Sequence, residues 1–215
     1  MNRRKVLTKE IVILTWLQRG IEDFFFAFKA QGSFVRYSPF FNYMGLELIC
    51  KSYLLGTRAG DYENQPFQNG LVKVDSIARK AFGHNLSDII SEIQRRKLSG
   101  GIGKLLSRKF DGFSGADFIK ILESAYLECR YPIPDRSYRR FPIQGKKGVF
   151  NDPVYSSGLP KFCYAVAIEI LGYIRDDFAI EVPQSFLERL RPMTTNRRFL
   201  TLFFGDQRRY LTRKK

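Results

Sequence analysis

Histidine and cysteine are scarce in this chain, and their scarcity limits the chemistry that it can support. The 215 residues include one histidine, His84, and three cysteines, Cys50, Cys129 and Cys163. The cysteines are odd in number, far apart and set in apolar helical patterns, so we expect buried free thiols rather than a disulfide framework. No two of these possible ligands show the paired spacing of a zinc site. We therefore predict neither a metal nor a cofactor.

Long apolar runs are also missing. No run approaches the roughly 20 residues that a membrane-spanning helix needs. The apolar run at 11–16 follows a basic N-terminus but is short, and no small-residue cleavage site follows it. We expect a cytoplasmic protein without a signal peptide or membrane partner. A hydrophobic fraction of 44% with 20 phenylalanines argues against disorder, and the length favours one domain with extensions.

Acidic residues are too few to balance the basic ones, and the net charge is +15. Residues 95–109, 130–149 and 189–215 carry net charges of +6, +5 and +8, so the rest of the chain is slightly acidic. Such clustering favours a polyanionic partner, most commonly nucleic acid, although a solvated basic surface is the alternative. The candidate nucleic-acid-binding residues are Arg95, Arg96, Lys97, Lys104, Arg130, Tyr131, Arg136, Arg139, Arg140, Lys146, Lys147, Arg197, Arg198, Arg208 and Arg209.

Helical periodicity dominates the chain and predicts an all-α protein, an up-and-down helical bundle. We expect helices from Thr8 to about residue 30, from Ser38 to Leu55, on both sides of His84, from 115 to about 129, from 161 to about 178, and briefly after Pro183. We assign residues 1–178 to the bundle, including a long basic flap at 131–159. Residues 179–215 form a basic C-terminal extension, with a possible small β-hairpin turning at 205–206.

The second predicted helix carries one ion pair. Glu47 and Lys51 stand four positions apart, the spacing of a helical salt bridge. We expect this pair to be solvated and worth a few tenths of a kcal/mol. The apolar positions Phe41, Met44, Leu48 and Tyr53, or their neighbours, are expected to face the core.

The histidine lies at a predicted corner between two helices. Val74, Ile77, Ala78 and Phe82 mark a buried face of the first helix, and Leu86, Ile89, Ile90 and Ile93 mark that of the second. Gly83 suits the residue just past a helix C-cap, and Asn85 suits an N-cap. Arg79 lies five positions before His84. The nearby glycine-rich stretch 100–104 lacks the spacing and the preceding strand of a phosphate loop.

Three segments resemble the HEPN superfamily: GLELICKSYLL at 45–55, KVDSIARKAFGHNLSDIISEI at 73–93, and ILESAYLECRYP at 121–132. They occur in this order on successive predicted helices, and the resemblance covers roughly residues 10–178. Its strongest pieces are the glycine-histidine-polar-leucine corner at 83–86 and the arginine-tyrosine step at 130–131. The resemblance implies a helical bundle.

The resemblance implies two different functions. Many HEPN proteins are metal-independent ribonucleases of toxin–antitoxin, phage-defence and RNA-guided immune systems, and they use an arginine, four to six residues and a histidine, often with two copies meeting in a dimer. Arg79 and His84 fit that spacing, with histidine for proton transfer at the 2′-hydroxyl and arginine for the phosphorane charge. Other members have lost the pair and serve as binding or regulatory partners, some beside nucleotidyltransferases.

Two functions therefore stay open. One is an RNA-binding or regulatory protein of a prokaryotic defence or toxin–antitoxin system, with RNA, a second copy of the chain, a cognate antitoxin or a nucleotidyltransferase as partner. The other is an endoribonuclease that uses Arg79 and His84. Against catalysis, five positions on a continuous helix leave two side chains roughly 140° apart, and a histidine at such a corner can simply cap the preceding helix.

Overall fold

The computed structural model describes residues 6–33, 37–130 and 156–190. Helices account for most of these residues, which confirms the all-α prediction. They are α1 Lys9–Ser33, α2 Ser38–Gly56, α3 Phe67–Ser76, α4 Leu86–Arg96, α5 Ile102–Ser107, α6 Gly115–Arg130, α7 Gly158–Phe178 and α8 Gln184–Leu190. A 3-10 turn at Ala59–Asp61, a π-helical turn at Ile77–Ala81 and two short strands, β1 Lys109–Phe110 and β2 Phe113–Ser114, lie between them. Among the described residues, no helix combines the length and apolar character needed to cross a membrane.

Helices α1 and α2 approach each other most closely, and glycines at the crossing allow it. The N-terminus of α1 begins where predicted, since the Ile11 N–H donates to Thr8 Oγ1 at 3.3 Å. A Cβ atom added at Gly20 would lie 2.8 Å from the carbonyl oxygen of Gly45, and one added at Gly45 would lie 2.7 Å from that of Gly20. Gly20 therefore has a packing role in α1, where propensity alone predicts only local weakening.

One hydrophobic core joins α1, α2, α4, α6 and α7. Residues beyond the predicted bundle boundary at 178 also belong to it, because Ile180, Val182, Leu187 and Leu190 are buried in the same cluster. The expected buried thiols are confirmed at Cys50 and Cys163, both free and fully buried. Cys129 lies on α6, but its side chain is outside the described set.

Two predicted features fall largely beyond the described residues. Of the flap at 131–159, residues 131–155 lie outside them, and α7 already begins at Gly158. The hairpin predicted to turn at 205–206 lies in 191–215, which is also outside. Both features stay predictions.

The stretch 100–114 contains structure that the sequence analysis missed. It forms α5 and then the β1–β2 hairpin, which pairs Phe110 with Phe113. Asp111 and Gly112 between the strands have φ of 50° and 94°, the left-handed conformation of a two-residue hairpin turn. The start of α5 is no open phosphate cradle, because the Gly101 N–H donates to the buried carboxylate of Glu169 at 2.9 Å.

Candidate functional site: the His84 corner

The two helices around His84 form the predicted corner. The first continues from α3 through the π-helical turn Ile77–Ala81, and the chain then reverses at Gly83, which has φ of 59°. Asn85 caps α4, since its Oδ1 accepts the Asp88 N–H at 3.1 Å. The apolar positions predicted for both helices are all buried: Val74, Ile77, Ala78, Phe82, Leu86, Ile89, Ile90 and Ile93. The corner backbone is thus fixed from both sides, while the His84 side chain stays 63% exposed.

Under the histidine ring lies a buried ion pair on α2. Glu47 Oε1 is 2.7 Å from Lys51 Nζ and 2.9 Å from His84 Nδ1. The side chains of Lys51 and Glu47 are only 2% and 4% exposed, so the prediction of a solvated pair is wrong. The physical reason is that α2 is the central helix and is covered on nearly every face, which leaves no solvent side for these charges.

The shared carboxylate fixes which ring nitrogen of His84 is available. A carboxylate paired with a lysine ammonium can only accept hydrogen bonds, so Nδ1 of His84 must carry the proton and donate it. In the neutral ring, Nε2 is then the unprotonated nitrogen, on a side chain that faces solvent. Glu47 Oε2 is buried, and no hydrogen-bond partner for it lies among the described residues.

A tyrosine holds the backbone of the same corner. The Tyr43 hydroxyl donates to the His84 carbonyl oxygen. Burial, and next the negative charge of Glu47, raise the pKa of Tyr43, so this hydroxyl remains a donor throughout the physiological range. Tyr43 also stacks on Tyr126 of α6, with ring centroids 4.4 Å apart. With Glu47 on Nδ1 and Tyr43 on the carbonyl, the His84 ring is bound to α2 instead of capping the helix before it.

Arg79, the other predicted catalytic residue, belongs to the same corner, but its side chain pairs with Asp75. Its Nε is 2.9 Å from Asp75 Oδ1, one helical turn earlier. The two side chains are 72% and 59% exposed. Arg79 and His84 are thus both exposed, but the partner of the guanidinium is Asp75 and that of the ring is Glu47.

Three of the predicted nucleic-acid-binding residues, Arg95, Arg96 and Lys97, have partners within the chain. Glu92 pairs with Arg95 at 2.9 Å and with Arg96 at 2.7 Å. The hydrogen bond from Arg95, followed by that from Arg96, lowers the pKa of Glu92. Lys97 pairs with Asp177, and its ammonium lies 5.4 Å from the centroid of the Tyr173 ring. These side chains already have intramolecular partners, which RNA phosphates would have to replace.

The remaining predicted binding residues lie on α5, at the end of α6 or outside the described residues. Lys104 is exposed on α5, and Arg130 is the last residue of α6. Outside the described residues lie Tyr131, Arg136, Arg139, Arg140, Lys146, Lys147, Arg197, Arg198, Arg208 and Arg209.

Sequence reasoning missed the residues that hold His84. Glu47, Lys51 and Tyr43 were visible as polar groups within the apolar run of α2, and three polar side chains at one-turn spacing in such a run signal a buried network. Glu123 was also missed. Its Oε1 accepts the Ser87 N–H at 2.8 Å and so ties the start of α4 to α6.

Comparisons of the chain with family models, with curated proteins and with solved structures found no match. The resemblance to the HEPN superfamily thus stays a prediction that rests on the three sequence segments and on the spacing of Arg79 and His84.

Proposed function

We propose that the protein is a metal-independent endoribonuclease of the HEPN type, in which His84 transfers protons and Arg79 stabilises charge. The observation that carries the proposal is an exposed histidine whose Nδ1 is held by a buried carboxylate, Glu47, at 2.9 Å. A general base needs a fixed ring and a free nitrogen within reach of the substrate, and this arrangement supplies both.

The chemistry follows from these groups and the RNA itself. Nε2 of His84 accepts the proton of a ribose 2′-hydroxyl while that oxygen attacks the adjacent phosphorus. The bond to the 5′-oxygen of the next nucleotide breaks, and that oxygen leaves as a hydroxyl after the proton held on Nε2 passes to it, directly or through water. The products are a 2′,3′-cyclic phosphate and a 5′-hydroxyl. Glu47 holds the ring throughout, because its carboxylate accepts the hydrogen bond from Nδ1 in both the neutral and the protonated ring.

Arg79 would have to leave Asp75 in order to serve this reaction. The pair is exposed on both sides, and exposed ion pairs contribute about 0–1 kcal/mol. A phosphate can therefore displace the Asp75 carboxylate at little cost. The guanidinium would then bind the phosphorane oxygens, a bidentate geometry that arginine favours.

A second candidate is a non-catalytic RNA-binding or regulatory protein. It is favoured by the Arg79–Asp75 pair, which leaves the guanidinium away from His84. By the HEPN resemblance, such a protein would act in a prokaryotic defence or toxin–antitoxin system, with a second copy, an antitoxin or a nucleotidyltransferase as partner. Its affinity for RNA should fall with salt by about 0.7 log units per log unit of salt for each phosphate neutralised.

Cleavage of labelled RNA in excess chelator tests the proposal. The parent should give products ending in a cyclic phosphate, and the DNA analogue should resist because it lacks the 2′-hydroxyl. His84→Ala and Arg79→Ala should each lower cleavage by about 100-fold or more. Arg58→Ala is the matched control, since Arg58 is also an exposed arginine paired with an aspartate, Asp61, at 2.6 Å.

The outcomes separate the two candidates. An inactive parent that still binds RNA in a salt-dependent manner supports the non-catalytic protein. Cleavage that persists in both His84→Ala and Arg79→Ala refutes the assignment of these residues. Equal losses in Arg79→Ala and Arg58→Ala would show that any exposed arginine matters, and that Arg79 has no special role.

A further inference from the structure

His84 is held at two points by side chains of one helix. The Tyr43 hydroxyl donates to its carbonyl oxygen, and Glu47 Oε1 lies 2.9 Å from its Nδ1. Tyr43 and Glu47 stand four positions apart on α2, so they lie one turn apart on the same helix face. The two contacts therefore come from a single helix, although one reaches the backbone of the histidine and the other reaches its ring.

Each contact alone leaves the histidine some freedom. The His84 side chain is 63% exposed, so packing does little to fix its ring. A hydrogen bond at Nδ1 holds one ring atom, and the ring can still turn about that atom if the backbone moves. A second bond from the same helix to the carbonyl oxygen restrains the backbone as well. The direction of Nε2 is therefore set by both contacts together.

The ring of Tyr43 is itself held in place. It is 1% exposed and stacks on Tyr126 of α6, with ring centroids 4.4 Å apart and an interplanar angle of 23°. Phe40 also stacks on Tyr126, at a centroid distance of 5.9 Å and an angle of 3°. Rings from α2 and α6 thus direct the Tyr43 hydroxyl at the His84 carbonyl.

Packing alone does not explain this hydroxyl. A phenylalanine would fill the core with the same ring and would bring no polar atom out of water. Tyr62 offers a comparison, because it is also fully buried and its hydroxyl donates to another backbone carbonyl of α2, that of Leu55, at 3.1 Å. Leu55 lies near the opposite end of α2. The same kind of hydrogen bond therefore occurs once at the histidine and once away from it.

We infer that Tyr43 is a positioning residue for His84, and this inference rests on the proposed ribonuclease function. Tyr43 holds the backbone of the histidine where the bond from Nδ1 to Glu47 directs Nε2 at the substrate. Loss of the hydroxyl should slow the chemical step, because a small misplacement of a catalytic group is costly. It should leave substrate binding unchanged, because Tyr43 is buried and does not touch RNA.

Tyr43→Phe tests the inference, since it removes the hydroxyl and keeps the ring, and Tyr62→Phe is the matched control. Each variant loses one buried hydrogen bond, so each thermal midpoint should fall by about 2–4 °C. In RNA cleavage with excess chelator, Tyr43→Phe should lower kcat by about 10- to 100-fold with KM unchanged. Tyr62→Phe should keep the kcat and the KM of the parent. Equal kcat values for the two variants would overturn the inference.

Nitrogen NMR of the His84 ring separates failure of this inference from failure of the proposed function, because it needs no cleavage. In Tyr43→Phe, fewer neutral rings should carry the proton on Nδ1, since a displaced backbone weakens the bond to Glu47. In Tyr62→Phe the fraction should equal that of the parent. An unchanged tautomer in Tyr43→Phe refutes the positioning role, even if the parent cleaves RNA. An inactive parent with the expected tautomer change removes the ribonuclease and retains Tyr43 as the residue that positions the ring.

Discussion

Two ion pairs of this protein have the same chemistry and opposite surroundings. Glu47–Lys51 on α2 and Glu92–Arg96 on α4 both join residues four positions apart, and in both the nitrogen–oxygen distance is 2.7 Å. The side chains of the first pair are 4% and 2% exposed, and those of the second are 27% and 31% exposed. Geometry within the helix is therefore a poor guide to what an ion pair does.

The surroundings determine the role of each pair. The exposed pair is screened by water and salt and contributes about 0–1 kcal/mol. The buried pair pays a desolvation cost that usually cancels its attraction, so net stability is a weak explanation for its presence. Its distinctive property is the contact with His84 Nδ1 at 2.9 Å. We therefore interpret Glu47 and Lys51 as residues that position the histidine.

The largest expected effect comes from breaking the buried pair. Lys51→Met leaves the Glu47 carboxylate buried without its cation, and the free energy of unfolding should fall by about 3–5 kcal/mol. Arg96→Met, the matched change in the exposed pair, should lower it by about 0–1 kcal/mol. Urea denaturation monitored by circular dichroism measures both. Similar losses in the two variants would show that burial does not distinguish the pairs.

Removing both buried charges together should restore stability without restoring RNA cleavage. Glu47→Leu combined with Lys51→Met leaves no isolated charge in the core, so most of the stability lost in Lys51→Met should return. RNA cleavage should nevertheless fall by about 100-fold or more, because His84 Nδ1 has lost its acceptor. A stable double variant with full cleavage would refute the positioning role of Glu47.

Sequence predicted the corner but not the pair beneath it, and the reason lies in the range of the interactions. Gly83, Asn85 and the apolar spacing around them act over a few residues, and each was confirmed. The burial of Glu47 and Lys51 depends on which helices surround α2, and α2 has apolar residues on every side. Its periodicity therefore could not show that the face with the charges is covered.

The β1–β2 hairpin was missed, although the sequence contains the signal that predicts it. Asp111–Gly112 between two phenylalanines is the usual signal of a two-residue hairpin, and this signal was overlooked. The partner of Lys97 was less accessible. Asp177 lies 80 residues from Lys97, and no local pattern links them.

High salt should weaken the exposed ion pair and leave the buried one unchanged, and the expected change in stability is smaller than that caused by Lys51→Met. At about 1 M salt the screening length is about 3 Å, which removes most of the attraction between exposed charges. The stability difference between Arg96→Met and the parent should then disappear. The loss caused by Lys51→Met should persist, since ions do not reach that pair. A Lys51→Met effect that vanishes in salt would mean that the site is open to solvent.

The Arg19–Asp23 pair is intermediate between the two ion pairs, because only its carboxylate is buried. Changing Asp23 should have the smallest effect on stability. Its side chain is 3% exposed, while its cation Arg19 is 62% exposed and 3.7 Å away. Burial raises the pKa of Asp23, against the weaker opposing effect of Arg19. Because the folded-state pKa lies above the unfolded one, the stability contributed by the protonated form is present below the unfolded pKa, about 4, and is lost as pH rises through the folded value.

Asp23→Asn should therefore raise the thermal midpoint slightly at neutral pH, where the parent carries a poorly compensated buried charge. The advantage should shrink as pH falls and vanish below about pH 4, where the parent carboxyl is protonated. Thermal unfolding followed by circular dichroism across this pH range measures the difference. A lower midpoint for Asp23→Asn at neutral pH would show that the Arg19 pair outweighs burial.

The central claim is that Glu47 fixes the ring of His84, and nitrogen NMR of that ring tests it most directly. His84 is the only histidine, so its two ring nitrogens can be assigned without ambiguity in uniformly labelled protein. In the neutral ring of the parent, we expect the proton on Nδ1 and none on Nε2. In the Glu47→Leu/Lys51→Met variant, the proton should move largely to Nε2, because Nδ1 has lost its acceptor. A parent ring protonated on Nε2, or a tautomer that is the same in both proteins, would contradict the claim.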